Sequence, residues 1–376
     1  YNGETWQHKV AHSGYRVNGL GEVFPQNIEL SLKMEPPSVT VDGLQTFRYA
    51  TFYDNPARSD MNAVGRVDHE VNSLIGVTAN RTVRQFSNEY HDNYHIIEWE
   101  YTNTGEVDGT IDPPEQTLEN VYFVHIRQNE PTKNGVIGNG AGWGRQTMND
   151  RLGDDLTDYD IEHELMYSWT GSEPGFPWNT IGMPLFTDDS WQVHERDTVG
   201  RLADAFFTGM ATLHADRGPN DDSDWIEQPG FTGFIDNNGP RTVTNPDNKA
   251  YMAAEYKLVS GNDLPSHADN VAGSPTTTPE PTEQWIDRMA RQDGDPAITT
   301  GGFIQIYAYG PYTLEPGESV NIVQARVFAG LDEEATLEIG KKYKDLFQAG
   351  NPNGIIEYDA NGDGQITHGT SGPDES

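Results

Sequence analysis

The sequence predicts a mainly β fold: a large β-sandwich with long loops and one or two short helices. Three observations lead there. Gly and Pro are frequent (39 and 23) and scattered, so regular elements are short. The apolar runs between them alternate or are rich in β-branched and aromatic residues. The chain holds 17 Tyr, 14 Phe and 8 Trp, enough to build a core although only 35% of its residues are hydrophobic.

Five runs read as strands: 46–53, 93–105, 119–128, 303–310 and 319–330. In the second, Ile97, Trp99 and Tyr101 share one face while Ile96, Glu98 and Glu100 share the other, as expected of a sheet with one wet side. Two helices are expected. Thr282 can cap a short one bearing Trp285, Ile286, Met289 and Ala290. Asp332 can cap a longer one with early acids and late lysines, a stripe of Ile339, Tyr343, Leu346 and Phe347, and Gly350 as its stop. Residues 135–155, 171–184, 217–230 and 273–284 read as long loops, the last as an insertion of linker-like composition. The expected organisation is a sandwich region over 1–350, of one or two packed sandwiches, and a tail over 351–376.

Fifty-nine acids against 24 Lys and Arg leave a formal charge of -35. Such a surface repels nucleic acid and anionic lipid and attracts divalent cations or basic partners. Adaptation to a saline habitat is the other reading of the same composition. No cysteine is present, which excludes disulfides, thiolate metal sites and cysteine nucleophiles. No apolar run has the length of a membrane span. A start at Tyr1 rather than Met points to removal of a secretion signal, and so to an extracellular or cell-surface protein.

The most specific motif is "DANGDGQITHGT" (359–370). Asp359, Asn361 and Asp363 fall at positions 1, 3 and 5 of a twelve-residue calcium loop, and Gly364 falls at the sharp turn. Gln365 offers its carbonyl from position 7, and Thr367 stands at position 9. The loop, with apolar Ile366 at position 8, resembles those of EF-hand and dockerin proteins. It departs from them at position 12, where Thr370 cannot supply the closing bidentate carboxylate. Asp374, Glu375, water or a carboxylate of a neighbouring molecule would have to stand in. An ion-free Asn-Gly/Asp-Gly turn is the alternative. A second acidic cluster, Asp221, Asp222 and Asp224, can chelate a cation or simply be a solvated loop.

Other motifs are weaker. His91 and His95 stand four apart, but Asp92 replaces the glutamate of a zinc-enzyme helix and the segment reads as a loop entering a strand. His125, His163, His194 and His214 show no ligand spacing. "GNGAGWG" (138–144) lacks the Lys-Ser/Thr of a phosphate loop, and no Gly-x-Ser-x-Gly elbow occurs. Asn80-Arg81-Thr82 is an N-glycan sequon, and "SPTTTPEPT" suits O-linked sugar.

"HIIEWEYTNTG" (95–105) with "LENVYF" (118–123), "TLHADRGPNDDSDWIEQPG" (212–230) and "YTLEPGESVNIVQARVFAG" (312–330) together resemble a group of large, uncharacterised secreted proteins of Bacteroidetes-like and related bacteria. Many of those carry C-terminal sorting or anchoring segments. The resemblance implies an Ig-like or jelly-roll-like sandwich at a cell surface and implies no catalytic residues. The functional expectation is a non-catalytic structural or interaction protein, stabilised by Ca2+ and self-associating, with copies bridged by calcium. A carbohydrate-binding module or polysaccharide-active enzyme, using Trp143, Trp169, Trp178 and Trp191 on loops to stack on glycan, is the alternative. A hydrolase ranks below both for want of a nucleophile or metal motif.

Overall fold

In the computed structural model of the protein, the residues described are 7–11, 22–34, 40–41, 44–45, 54–55, 58–107, 116–127, 156–160, 163–169, 206–229, 231–236, 249–260 and 303–350. The first strands are β1 (Val23–Leu32), β2 (Thr40–Val41), β3 (Leu44–Gln45), β4 (Gly65–Ser73), β5 (Val77–Gln85) and β6 (Tyr94–Asn103). They are followed by β7 (Leu118–Arg127), β8 (Leu156–Asp160), β9 (Leu165–Trp169), β10 (Phe206–Gly218), β11 (Asp221–Asp224) and β12 (Phe231–Asp236). Helix α1 (Lys249–Val259) precedes β13 (Phe303–Leu314) and β14 (Ser319–Gly330), and α2 (Glu333–Gln348) closes the described chain. The protein is mainly β and antiparallel, as the alternation predicts. Neither helix is long and apolar enough to cross a membrane.

Nine strands form one sheet in the order β1-β4-β5-β6-β14-β10-β9-β8, with β11 attached to β10. A three-stranded sheet, β12-β13-β7, covers its centre. The core lies between the two and is aromatic. Tyr307 and Tyr309 of β13 are fully buried, and Tyr101 of β6 stacks on Phe123 of β7 at 3.9 Å between ring centroids. Ile97, Val77, Ile322 and Met210 fill the spaces around them. On β6 the predicted faces hold: Ile97 and Tyr101 point into this core, with Trp99 stacked against Tyr101.

Buried tyrosines bring hydroxyls that must be satisfied in a medium of low dielectric. One relay does this across both sheets. The Tyr101 hydroxyl lies 2.7 Å from His125 Nε2, and His125 Nδ1 lies 2.9 Å from Gln324 Oε1. Gln324 Nε2 donates to the Tyr309 hydroxyl at 2.8 Å, which in turn lies 2.8 Å from Thr212 Oγ1. One direction satisfies every group: Tyr101 donates to Nε2, the Nδ1–H donates to Gln324, and Tyr309 donates to Thr212.

Close approach of β13 to β7 rests on Gly310. Its φ of 136° disfavours any side chain, and a Cβ would stand 2.4 Å from the Val121 carbonyl oxygen. The Gln228 amide clamps it on the other side, accepting from Gly310 N at 2.9 Å and donating to Gly310 O at 3.0 Å.

The sheet's β1 edge is blunted. Its first half carries Pro25 and a register shift between Pro25 and Asn27. Its second half is capped by backbone bonds from Leu32 N to Asn55 O (2.8 Å) and Asp54 N to Leu30 O (2.9 Å).

Helix α2 begins as predicted, with Asp332 Oδ1 accepting from Ala335 N at 2.7 Å. It ends as predicted too: Gly350 follows with φ of 76°. Helix α1 is a finding that the sequence pattern does not announce. It buries Met252 and sets Tyr256 edge-on to Tyr122 (5.6 Å) and stacked on His8 (3.9 Å). The strand read over 46–53, the helix read after Thr282 and the loops at 135–155, 171–184 and 273–284 lie outside the described residues.

Gln324→Leu keeps the volume but strands the His125 and Tyr309 groups that Gln324 serves. We expect a loss of about 2–3 kcal/mol in urea unfolding, with an unchanged far-ultraviolet spectrum.

Candidate functional site

The loop of Asp359, Asn361, Asp363, Gln365 and Thr367 lies outside the described residues, as do Thr370, Trp143, Trp178 and Trp191. The second acidic cluster lies within them, and its local structure corrects the sequence reading. Residues 217–229 are not one long loop. The chain turns after Gly218 and returns as β11, pairing Asp221 with Gly218 and Asp224 with Asp216. Four acidic and polar residues are poor strand formers. They are held extended by the ladder to β10 and by Trp225, whose N–H donates to Ala215 O at 2.8 Å and whose ring packs edge-on to Tyr312 at 5.8 Å.

Within the hairpin the three aspartates take separate positions. The Asp221 carboxylate accepts from the Ser223 hydroxyl (2.5 Å) and amide (3.1 Å), contacts that hold it below the usual carboxylate range. Asp222 is exposed. Asp224 turns toward β10, where its Oδ1 accepts from Ala215 N at 3.2 Å and lies 3.4 Å from His214 Nδ1. Among the described residues no three His, Asp or Glu side chains are grouped closely enough to hold a metal ion.

What the hairpin does assemble is centred on His214, which composition and spacing left unmarked. Its Nε2 lies 2.8 Å from Asp216 Oδ1. Asp216 is only 4% exposed, and its other oxygen accepts from Asn321 N (2.7 Å) and Asn321 Nδ2 (2.8 Å). Its backbone carbonyl accepts from the Tyr312 hydroxyl at 3.0 Å. Burial first, then the Asp216 charge, pushes that phenol well above its ordinary range, so it remains a donor. A shift of register between Thr212 and His214 allows this: Thr212 serves the interior relay while His214 lies on the side of Asp216 and Asp224. The signal available in the sequence was "HAD", an i, i+2 pair that a strand places on one face.

Chemically the arrangement is a clasp. Both ring nitrogens of His214 face carboxylates, so the ring is engaged on both sides and bridges β10 and β11. Glu164, in the turn between β8 and β9, adds a further acid. Burial, and secondarily the charge of Asp224, raises its carboxyl above the ordinary range.

The remaining sequence candidates are placed as follows. His91 stands in an exposed turn before β6, its Nδ1 2.5 Å from the Tyr94 hydroxyl. His95 lies on β6 against Phe328, with ring centroids 6.5 Å apart. His125 belongs to the buried relay. Trp169 is on β9, in register with Phe207 and Leu156, rather than on a loop. Asn80 of the sequon sits mid-strand on β5, its amide 3.4 Å from Glu100. In comparison with known proteins, no family model matches this chain and no curated protein matches it.

The pH dependence follows from Glu164. Its folded pKa exceeds the unfolded one, so the fold favours the protonated form. That contribution is complete below the unfolded carboxyl range, near pH 4, and is lost as pH rises through the folded value. Glu164→Gln is therefore expected to raise Tm at pH 7 and leave it unchanged at pH 3, measured by calorimetry across that range.

Proposed function

We propose that the chain is a non-catalytic extracellular protein, a calcium-stabilised β-sandwich that associates with copies of itself at a cell surface or in a filament. The observation that supports this reading is the loop Asp359–Thr370, which has five oxygen-donor positions of a calcium loop and lacks the twelfth. A carboxylate of a neighbouring molecule completes the shell, and the bound ion offsets repulsion between surfaces of charge -35. Two features of the fold agree with association through ions rather than through strands. The β1 edge is blocked by Pro25, by its register shift and by the segment at 54–55. The acids of β11, in contrast, stand exposed.

The ion stabilises only the folded state, so its effect follows mass action: about 2.7 kcal/mol when free calcium is a hundredfold above Kd. Chelation is expected to lower Tm and to shift sedimentation toward the monomer, and Asp359→Ala with Asp363→Ala should reproduce both in the presence of calcium. Unchanged Tm and unchanged sedimentation on chelation would overturn the reading.

A further inference from the structure

Where β4 begins and β5 ends, Arg58, Arg66 and Arg84, with Asp60 and Asn62, line an open cavity of about 340 Å³. Convergence of three arginines is unexpected in a chain with 24 basic residues among 376. Arg66 and Arg84 are moreover direct partners in the β4–β5 register. Like charges directly opposite each other on paired strands are destabilising unless an anion balances them.

Internal acids occupy only some of their donors. Arg66 gives its Nε (2.9 Å) and Nη2 (2.7 Å) to the same oxygen of Asp68. Arg58 Nη2 meets Asp60 Oδ2 at 3.1 Å, and Arg84 Nη1 pairs with Glu98. A guanidinium carries five N–H donors on three nitrogens. Nη1 of Arg66, Nε and Nη2 of Arg84, and Nε and Nη1 of Arg58 are left for a further acceptor.

The cavity is built rather than incidental. Its loop is pinned to β1 by Arg58 N donating to Leu32 O (2.8 Å) and to β5 by Val64 N donating to Gln85 O (2.9 Å). Met61 and Ala63 anchor it from beneath at 7% and 1% exposure. A ligand therefore meets donors whose backbone is already ordered, which lowers the cost of binding.

Size and lining specify the ligand. The volume falls at the small end of small-molecule sites, roughly 300–1,000 Å³, and exceeds what one carboxylate needs. The fork of a guanidinium matches a planar carboxylate, and Asp60 and Asn62 beside it suit hydroxyl groups. We propose that this cavity binds a small hydroxyl-rich carboxylate, a sugar acid in chemical class, through Arg66 and Arg84. The assignment is independent of calcium-linked association.

The test is calorimetric titration of the full chain at 0.15 M ionic strength, roughly physiological, with and without chelator, using sodium glucuronate, glucose, acetate and inorganic phosphate as probes. Saturable glucuronate binding, stronger than that of glucose or acetate and weakened at least tenfold by Arg66→Gln with Arg84→Gln, is expected. Lys341→Gln on α2, which removes a positive charge away from the cavity, should leave it unchanged. The Tm of each variant reports folding. If the double variant is unfolded, Arg58→Gln on the exposed rim replaces it, with a smaller but measurable loss. Absence of saturable glucuronate binding, equal binding of glucose, tighter binding of phosphate, or indifference to the arginine substitutions would each overturn the assignment. Persistence with chelator separates this outcome from that of the assembly.

Discussion

The relay from Tyr101 through His125, Gln324 and Tyr309 to Thr212 is the constraint on which the sandwich depends. It draws one member from each of β6, β7, β14, β13 and β10, so it joins the two sheets at the centre of their contact. Aromatic packing alone tolerates sliding, because rings meet rings in many offsets. A hydrogen-bonded chain does not. With a side-chain period of two, a one-residue slip of β14 would put Val323 or Ala325 where Gln324 stands, leaving the polar groups of β7 and β13 unserved. The polar residues of the core thus define register, while the tyrosines around them supply buried area.

Outside the core the problem is one of like charge. The outer face of the large sheet handles it locally: Asp68 receives both Arg66 and the Thr82 hydroxyl (2.8 Å), and Arg84 meets Glu98 across the strands. Burial alone would raise the Asp68 carboxyl, but these partners outweigh it and hold it low. On the hairpin, the His214 ring stands between Asp216 and Asp224 and keeps the two carboxylates apart. Bases are scarce, and several of them sit where acids would otherwise face each other. Such placement offsets part of the excess charge locally, and the arginine cavity is one place where it does so.

Legibility in the sequence followed the range of the forces involved. Strands β6, β7, β13 and β14 were legible because alternation is a local consequence of two-sided packing, and α2 because its cap and stop are local too. The β10–β11 hairpin was not: "PNDDSD" carries turn chemistry, and only the ladder and Trp225 make it extended. Helix α1 has weak patterning, since its contacts come from His8 and Tyr122, far away in the chain. The same holds for sites. The candidate calcium loop is a motif of twelve consecutive residues that can be proposed from the sequence alone, whereas Arg58, Arg66 and Arg84 become neighbours only after β4 and β5 pair. Trp169 was misread as a loop residue because a short strand among long polar segments leaves little periodicity to detect.

The blunted edge of β1 has a consequence for reversibility. Polymers grown by adding strands to an open sheet edge copy the backbone's own ladder, and the resulting product resists dissolution. Pro25 and the displaced register beside it deny the chain that route on this side of the sheet. Whatever contacts copies make there must be written in side chains, whose strength varies with ionic conditions. A single imino acid at the margin of a nine-stranded sheet thereby favours contacts that solution conditions can undo.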